Sequence, residues 1–300
     1  MFRTPPYLLP FYHTVCDHEL LHLKHLYPIK TTTQFTEDLD FICRRFTPVS
    51  LETFHQQACD GFKTISKPIF HLTFDDGLSQ CHDVVAPILE KKGIPATFFI
   101  NPAFIDNQAL FFRFKSSLLI EAAHANKKRI PSKSTLLKAG YHQQDLLNHW
   151  ALELGVDFEM YLKTHQPYLT KTQLQTLIKK GFTIGGHSWD HPEYRFVTTE
   201  DALLQTEKCM TWVTQQFQPK IKAFSFPFTD YQLKEPFFNA IQEKRIANIT
   251  FGTAGIKNDS ASMNYQRMAM EGFSKGLTAY RWYFLKRSLR MLFGTNKIDR

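Results

Sequence analysis

Short runs of β-forming residues alternate along the chain with segments of helical periodicity. The β runs occupy residues 8–12, 68–74, 96–100, 182–184, 221–226, 246–251 and 265–270. Helical patterns lie between them, at residues 36–46, 82–92, 171–180 and 199–217. This alternation predicts an α/β fold with a parallel sheet, and about seven strand–helix units close most economically into a distorted (β/α) barrel. A doubly wound open sheet is the alternative that the pattern leaves open.

The sequence predicts a single barrel domain over residues 1–300 with one interruption. Residues 104–166 carry two or three helical patterns and no convincing strand, which predicts a helical insertion at the barrel rim. No apolar run reaches the roughly 18 residues of a membrane span, and the N-terminus lacks the pattern of a secretory signal. The five cysteines include no C-x-x-C pair, which indicates reduced thiols and predicts a cytoplasmic protein.

Basic charge is concentrated at the C-terminal end of the chain. Lys and Arg exceed Asp and Glu by 8 overall, and residues 280–300 contribute +5 of that excess. The rest of the chain is therefore close to neutral. A near-neutral body argues against a nucleic-acid-binding protein, which needs a broad basic face.

Residues 277–300 are predicted to form a basic amphipathic C-terminal helix. An apolar stripe runs along one side and comprises Trp282, Leu285, Leu289, Leu292 and Phe293. A basic row lies beside it and comprises Lys286, Arg287 and Arg290. The pattern fits peripheral contact with anionic lipid at the inner membrane surface. It also fits a helix that closes the barrel with its stripe in the core. Of the two we expect the core packing, and no protein partner is predicted.

Polar residues with metal-binding chemistry follow the predicted strands. Asp75 and Asp76 follow the run 68–74, and a His187/His191 pair with i, i+4 spacing follows the run 182–184. The aspartate motif alone would fit an ordinary turn, and a histidine pair of this spacing alone is more often incidental than metal-binding. The carboxyl ends of parallel strands meet on one face of a barrel, however, so the motifs converge. Asp76 with the two histidines therefore predicts a site for one divalent metal ion, suited to hydrolysis or to non-haem iron chemistry.

These two motifs resemble those of the polysaccharide deacetylases, the nodulation-factor deacetylase homology group that forms carbohydrate esterase family four. The first motif is Thr-Phe-Asp-Asp-Gly at residues 73–77, and the second is His-Ser-Trp-Asp-His at residues 187–191. Residues 93–100 resemble the family's next strand, and residues 223–230 resemble its weaker third motif. The resemblance extends over residues 8–105 and 170–270.

The resemblance implies a role for each site residue. Asp75 would be the general base, and the backbone N–H of Phe228, just after Pro227, would face the developing oxyanion. The ligands of one divalent metal ion, often Zn²⁺, would be Asp76, His187 and His191. The implied reaction is hydrolytic removal of an N-acetyl group from a sugar of a polysaccharide, oligosaccharide or lipid-linked glycan.

The general acid is expected near the N-terminus. Most members of the family place a histidine near the C-terminal end, but all 13 histidines of this sequence lie at or before His191. Residues 10–13, Pro-Phe-Tyr-His, instead resemble the biofilm poly-N-acetylglucosamine deacetylases, whose acid-bearing element lies at the N-terminal side. This second resemblance implies His13 as the acid, with Asp17 as its orienting partner. The alternative is a purely structural histidine.

The third motif departs from the family pattern where an arginine commonly holds the base, since Phe224 and Ser225 stand near that position. Arg267, at the end of the last predicted strand, is the candidate replacement through contact with Asp75. Two other functions stay open. One is hydrolysis of another non-peptide C–N bond, such as a cyclic amide, on the same metal site. The other is carbohydrate binding without catalysis.

Overall fold

The computed structural model describes residues 5–126 and 132–300, and its centre is a barrel of parallel strands. The strands are β1 (Tyr7–Leu8), β2 (Pro10–Tyr12), β3 (Thr47–Pro48), β4 (Ile69–Phe70), β5 (Leu72–Phe74), β6 (Ala96–Ile100), β7 (Thr183–Gly186), β8 (Ala223–Ser225), β9 (Ile249–Gly252), β10 (Asn258–Asp259), β11 (Asn264–Gln266), β12 (Met268–Ala269) and β13 (Lys297–Ile298). The largest sheet has the order β11-β9-β8-β7-β6-β5-β2-β12, and every pairing in it is parallel.

The last stretch of this sheet closes the barrel. Strand β11 pairs with β9 through Tyr265 and Phe251, and β12 pairs with β2 through Met268 and Pro10. Only Arg267 separates β11 from β12, so one continuous segment bridges the first and the last strands. The predicted distorted barrel of about seven strands is therefore confirmed, and the open-sheet alternative is wrong.

The helices pack around the sheet as the alternation predicts. They are α1 (Thr32–Cys43), α2 (Leu51–Cys59), α3 (Ala86–Lys92), α4 (Phe112–Asn126), α5 (Lys133–Lys138), α6 (Gln144–Leu154), α7 (Phe158–His165), α8 (Lys171–Lys179), α9 (Thr199–Phe217), α10 (Glu235–Glu243) and α11 (Gly276–Leu292). Helix α1 begins four residues before its predicted start because Thr31 and Gln34 form a capping box there. No helix in the described part of the chain is long and apolar enough to cross a membrane.

Two glycines of β7 allow the sheet to pack closely at its centre. A Cβ on Gly185 would lie 2.5 Å from the Phe99 ring, and one on Gly186 would lie 2.6 Å from the Met210 sulfur. Both distances are shorter than any real contact, so a larger residue at either position would displace the neighbouring strand or helix α9. The glycines thus fix the position of the strand that leads into His187.

The segment predicted as an insertion contains four described helices, α4 to α7, where the sequence indicated two or three. They build an apolar core that is distinct from that of the barrel, and Phe112, Phe114 and Leu119 are buried in it. Leu20 and Leu23, from the loop after β2, complete this core. The insertion therefore holds the β2–α1 loop over one side of the barrel mouth. Residues 1–4 and 127–131 lie outside the described part of the predicted domain.

Helix α11 corrects two expectations about the C-terminal segment. It ends at Leu292, and the chain then turns so that β13 pairs with β10. The apolar stripe also faces solvent, since Trp282, Leu285 and Leu289 are each about half exposed. Tyr280, Tyr283 and Phe284 pack against the core instead. The expected core packing of the stripe is wrong because these rings, on the opposite face of the helix, pack inward instead, with Tyr280 against Phe41 of α1. The side chain of Leu292 lies outside the described atoms.

Candidate active site

The candidate site is a cavity of about 440 Å³ at the carboxyl ends of the barrel strands. Its polar walls come from the segments that directly follow strands: His13 follows β2, Asp75 and Asp76 follow β5, and His187 begins the loop after β7. His191 lies four residues further along that loop. The barrel thereby brings into one cavity the residues predicted as metal ligands, base and acid.

Three side-chain atoms converge in this cavity at the spacing of ligands around one ion. The Nε2 atom of His191 lies 3.1 Å from Asp76 Oδ1, and the Nε2 atom of His187 lies 3.5 Å from the same oxygen. The two Nε2 atoms are 3.2 Å apart. Ligand atoms about 2.1 Å from a tetrahedral zinc ion stand roughly 3.4 Å from one another. The observed spacings therefore fit a bound divalent ion.

The protonation of these side chains also fits a metal ion. The Nδ1 atom of His187 lies 2.8 Å from the Ser225 carbonyl oxygen, so Nδ1 carries the proton and the Nε2 lone pair points toward Asp76. Burial lowers the pKa of His187 to about 4, which keeps its imidazole neutral at pH 7. The Oδ1 atom of Asp76 is buried and accepts no hydrogen bond from any residue that the structure describes. A buried lone pair facing another lone pair is costly unless a cation lies between them.

Left-handed backbone conformations concentrate in the loops of the site. Asp76, Ser188, His191 and Phe228 have φ values of 71°, 68°, 64° and 57°, a region that residues other than glycine seldom adopt. Local hydrogen bonds hold the His187–His191 loop in shape: the His191 N–H donates to Ser188 Oγ at 3.1 Å, and Asn101 Nδ2 donates to the Ser188 carbonyl at 3.1 Å. Such conformations cost on the order of 1 kcal/mol each and are typical of functional sites.

Arg267 holds Asp75 with both arms of its guanidinium group. Its Nη1 and Nη2 atoms donate to Asp75 Oδ1 and Oδ2 at 2.8 and 2.7 Å. The other three N–H groups donate to Gly252 O at 3.2 Å, Thr73 Oγ1 at 3.0 Å and Ser225 Oγ at 2.5 Å. All five donors of a fully buried arginine are thus satisfied. Burial alone would raise the pKa of Asp75, but the charge of Arg267 and its hydrogen bonds hold that pKa below its usual range.

His13 is oriented by Glu271 and not by Asp17, which corrects the expected partner. The His13 Nδ1 atom lies 2.6 Å from Glu271 Oε2, and the His13 backbone N–H donates to Glu271 Oε1 at 2.6 Å. Asp17 instead accepts hydrogen bonds from Thr32 at the start of α1. Glu271 lies two residues after β12 and directly follows the predicted β run 265–270, so it carries the same strand-end signal that identified the other residues. That signal was present in the sequence, but the sequence interpretation missed it.

Glu271 also sets the charge of His13. Burial by itself would lower the pKa of His13, but the carboxylate of Glu271, its hydrogen bond, and the charges of Asp76 and Asp75 together raise it to about 9. His13 therefore carries a proton at neutral pH. The Tyr27 ring stacks on the imidazole with 4.6 Å between ring centroids, which fixes the plane of the ring at the cavity wall.

The opposite wall of the cavity comes from the helical insertion and the third motif. Phe111 contacts the His191 ring at 4.4 Å between centroids, and Phe228 contacts the same ring at 4.8 Å. Arg113 lies over Phe228 and pairs with Glu193, with 2.6 Å between Nη2 and Oε1. No motif marked Phe111, Arg113 or Tyr27 in the sequence, because lining positions of this kind follow from the packing of the insertion and loop.

The loop after β8 places Phe228 at the cavity, next to the buried Pro227. The Phe228 carbonyl accepts a hydrogen bond from Thr253 Oγ1 at 3.0 Å, which fastens the loop to the end of β9. Within residues 5–126 and 132–300 we find no acceptor for the Phe228 N–H. A free N–H at the cavity is compatible with an oxyanion donor, and that role stays a prediction.

A second cluster of residues that could bind a metal ion lies at the rim of the cavity and comprises His25, Glu121 and His124. The Nε2 atom of His25 is 2.6 Å from Glu121 Oε1. The Lys24 ammonium group, however, is 2.9 Å from the other oxygen of Glu121 and already neutralises it. This neighbouring cation opposes binding of a metal ion, in contrast to the Asp76 cluster.

Comparison with known proteins identifies the family. The sequence profile described as polysaccharide deacetylase matches residues 63–235, more than half of the chain. The chain therefore belongs to the polysaccharide deacetylase family, which confirms the resemblance seen in the sequence. A search of the curated proteins finds no significant match.

Solved structures share the fold at low sequence identity. The Streptococcus pyogenes deacetylase PplD in complex with acetate aligns with a TM-score of 0.62 at 12% identity, covering 92% of this chain and 96% of that one. A de-N-acetylase from Aggregatibacter actinomycetemcomitans gives 0.60 at 13% identity, covering 92% and 99%. IcaB from Ammonifex degensii gives 0.58 at 12% identity, covering 92% and 96%. Likeness at this identity shows the shared fold, and family membership supports deacetylation of glycans.

Proposed function

We propose that the protein is a metal-dependent hydrolase that removes N-acetyl groups from an N-acetylated sugar of a polysaccharide, an oligosaccharide or a lipid-linked glycan. One observation carries the proposal: a three-ligand cluster, an arginine-held carboxylate and a glutamate-held histidine line the same cavity. Each supplies one requirement of amide hydrolysis, namely activation of water, removal of its proton, and protonation of the leaving amine.

We assign the attack on the acetyl group to the side of the cavity formed by β5 and β7. A divalent ion, with Zn²⁺ our proposal, held by Asp76, His187 and His191 would supply Lewis acidity that acidifies water and polarises the acetyl carbonyl. Asp75, kept ionised by Arg267, accepts the proton of the attacking water. The water oxygen then bonds to the carbonyl carbon, and the Phe228 N–H donates to the developing oxyanion.

His13 completes the reaction on the opposite side. An amine is a poor leaving group until its nitrogen gains a proton, and His13 is protonated at neutral pH through its contact with Glu271. Transfer of that proton to the nitrogen lets the C–N bond break, giving acetate and a free amino sugar. Glu271 holds the ring in place and is a positioning residue.

We further propose that the enzyme works in the cytoplasm on a precursor glycan. All five cysteines are unpaired thiols, and Cys43 and Cys59 are exposed. Exposed free thiols are typical of proteins in a reducing compartment. A glycan assembled in the cytoplasm would be within reach there, including one linked to lipid at the inner membrane surface.

The reaction is tested by measuring acetate release from poly-N-acetylglucosamine, chitin oligosaccharides and lipid-linked N-acetylated sugars, before and after treatment with a chelator. We expect release that the chelator abolishes and that added Zn²⁺ restores. His187→Ala and His191→Ala should lose bound metal, whereas the exposed His149→Ala should retain both metal and activity. Asp75→Asn should keep the metal and lose roughly 10²–10⁴-fold in rate.

Other outcomes of the same assay would overturn the proposal. Hydrolysis of cyclic amides in place of acetamides would assign the site to a different C–N bond. Binding of glycans with no acetate release by the metal-loaded protein would make the chain a carbohydrate-binding relative. Full metal occupancy in both histidine variants would remove the ligand assignment.

A further inference from the structure

One face of helix α11 presents large apolar side chains to solvent. Trp282, Leu285, Leu289 and Phe293 are 46%, 57%, 48% and 78% exposed. Their spacing of three, four and four residues places them on a single stripe along the helix and its C-cap. A continuous stripe of this size differs from the scattered apolar residues found on most protein surfaces, and it marks an interaction surface.

Basic residues border this stripe on both sides. Lys286 and Arg290 lie along one edge and Arg281 along the other, and the sequence of α11 contains no Asp or Glu. The Lys286 ammonium group lies 4.2 Å from the centre of the Trp282 ring, so its alkyl chain runs beside the stripe and its charge sits at the edge. The surface thus combines an apolar strip with the positive charges of Arg281, Lys286 and Arg290.

The other face of the helix is already used by the fold. Tyr280 contacts Phe41 of α1 at 5.6 Å and stacks on Phe284 at 4.0 Å between ring centroids. The N–H of Gly276, at the helix start, donates to the buried carboxylate of Asp38. The helix is therefore fixed to the barrel by its inner face, and the exposed stripe is not required for that attachment.

We propose that α11 binds the surface of an anionic lipid bilayer, lying in the plane of the interface with its stripe among the headgroups and acyl-chain ends. Apolar anchors with a Trp, flanked by Lys and Arg, are the composition that binds such surfaces. A second copy of the chain is a poorer occupant, because two-fold packing of this face would bring basic residues of both copies together. The proposal is independent of the reaction in the cavity.

The full chain is tested by co-sedimentation with vesicles of phosphatidylcholine alone and of phosphatidylcholine mixed with phosphatidylglycerol. We expect binding to the anionic vesicles that weakens as salt rises, and little binding to phosphatidylcholine. The double variant Leu285→Asp/Leu289→Asp should bind at least about tenfold more weakly. The matched control, Leu152→Asp/Leu204→Asp, changes two exposed leucines of α6 and α9 and should bind like the wild type.

The same variants distinguish a loss of vesicle binding from a loss of folding or of the metal site. Both double variants should keep the wild-type melting temperature and metal content, because every changed side chain is exposed. Unchanged vesicle binding by Leu285→Asp/Leu289→Asp, or no binding by the wild type, would overturn the proposal. A wild-type dimer that this variant dissociates, with no affinity for vesicles, would assign the stripe to self-association instead.

Discussion

Two pairs of charged residues lie at the cavity, and in each pair the partner fixes the protonation state of the residue to which we assign a catalytic role. Arg267 keeps Asp75 ionised, and Glu271 keeps His13 protonated. The two supporting residues lie four positions apart on and after the segment that closes the barrel. One short stretch of chain therefore positions both the proposed base and the proposed acid.

Replacing Arg267 with Lys should impair the base while leaving the metal in place. A lysine keeps the charge but offers three donors where the site uses five, and it cannot bind both oxygens of Asp75 in a fork. The pKa of Asp75 should rise, so the acidic limb of the rate profile should move to higher pH. We expect kcat to fall by roughly 10–100-fold with metal content unchanged. An unaltered kcat and acidic limb in a folded variant would show that Arg267 has no positioning role.

Glu271→Gln should move the basic limb of the rate profile to lower pH. The folded pKa of His13 is raised from 6.5 to about 9, so its proton is present below that range and is lost as pH rises through it. Without the carboxylate the pKa falls back toward 6.5, and activity should be lost earlier on the alkaline side. A bound metal ion lowers both values, so the difference between the two enzymes is the quantity to measure.

The matching test of the acid uses two leaving groups. His13→Ala should cut turnover of an acetamide strongly but spare an activated aryl acetate, whose leaving group needs little protonation. Metal content should not change. Equal fractional loss on both substrates would make His13 structural and would place the acid elsewhere.

At the scale of elements, helix α11 shows how an amphipathic pattern can be assigned to the wrong face. The sequence contains two sets of large apolar residues on this helix, one with Trp282, Leu285 and Leu289 and one with Tyr280 and Phe284. Helical periodicity shows that both sets are apolar, but it does not show which of them faces the core. In the structure the set with Tyr280 and Phe284 packs inward, because Phe41 of α1 and Phe46, which follows α1, contact the Tyr280 ring. The partner surface, which sequence periodicity does not contain, decides the orientation.

The assignment of faces on α11 has a consequence for stability. Tyr280→Ala removes a ring packed against α1 and should lower the free energy of unfolding by roughly 2 kcal/mol. Leu289→Ala removes a side chain of similar apolar character from the exposed face and should change it by less than about 0.5 kcal/mol. Urea unfolding measures both values. A larger loss for Leu289→Ala than for Tyr280→Ala would reverse the two faces.

At the scale of the whole molecule, the sequence predicted most of what depends on local pattern. The alternation of strands and helices predicted the barrel. The polar residues that follow the predicted strands, Asp75, Asp76, His187 and His13, predicted the composition of the cavity, because parallel strands of a barrel end on a common face. The orienting partner of His13 was missed although Glu271 follows the last predicted strand, because the interpretation looked to Asp17, four residues along the chain, and not to a residue 258 positions away that barrel closure brings beside His13. The left-handed conformations at Asp76 and His191 were likewise invisible, since neither is a glycine.

Barrel closure also explains a buried network that joins three distant segments. The guanidinium group of Arg300 contacts the carboxylates of Asp230 and Asp259, and its Nη1 atom donates to the carbonyls of Asp230 and Leu233. Both carboxylates are at most 1% exposed. Asp230 follows the Phe228 loop by two residues, so this network fastens the proposed oxyanion loop to the C-terminal end of the chain.

Arg300→Ala should therefore destabilise the whole barrel and not only its C-terminal end. The variant leaves two buried carboxylates without their cation, a change that typically costs roughly 3–5 kcal/mol, whereas Lys297→Ala breaks only an exposed pair with Asp299 worth about 0–1 kcal/mol. Equilibrium unfolding in urea compares the two variants directly. Because Asp230 supports the Phe228 loop, Arg300→Ala should also lower kcat under conditions where the protein is still folded and holds its metal. A loss of stability no larger than that of Lys297→Ala would show that Asn264 and Gln266, which also donate to both carboxylates, suffice to satisfy them.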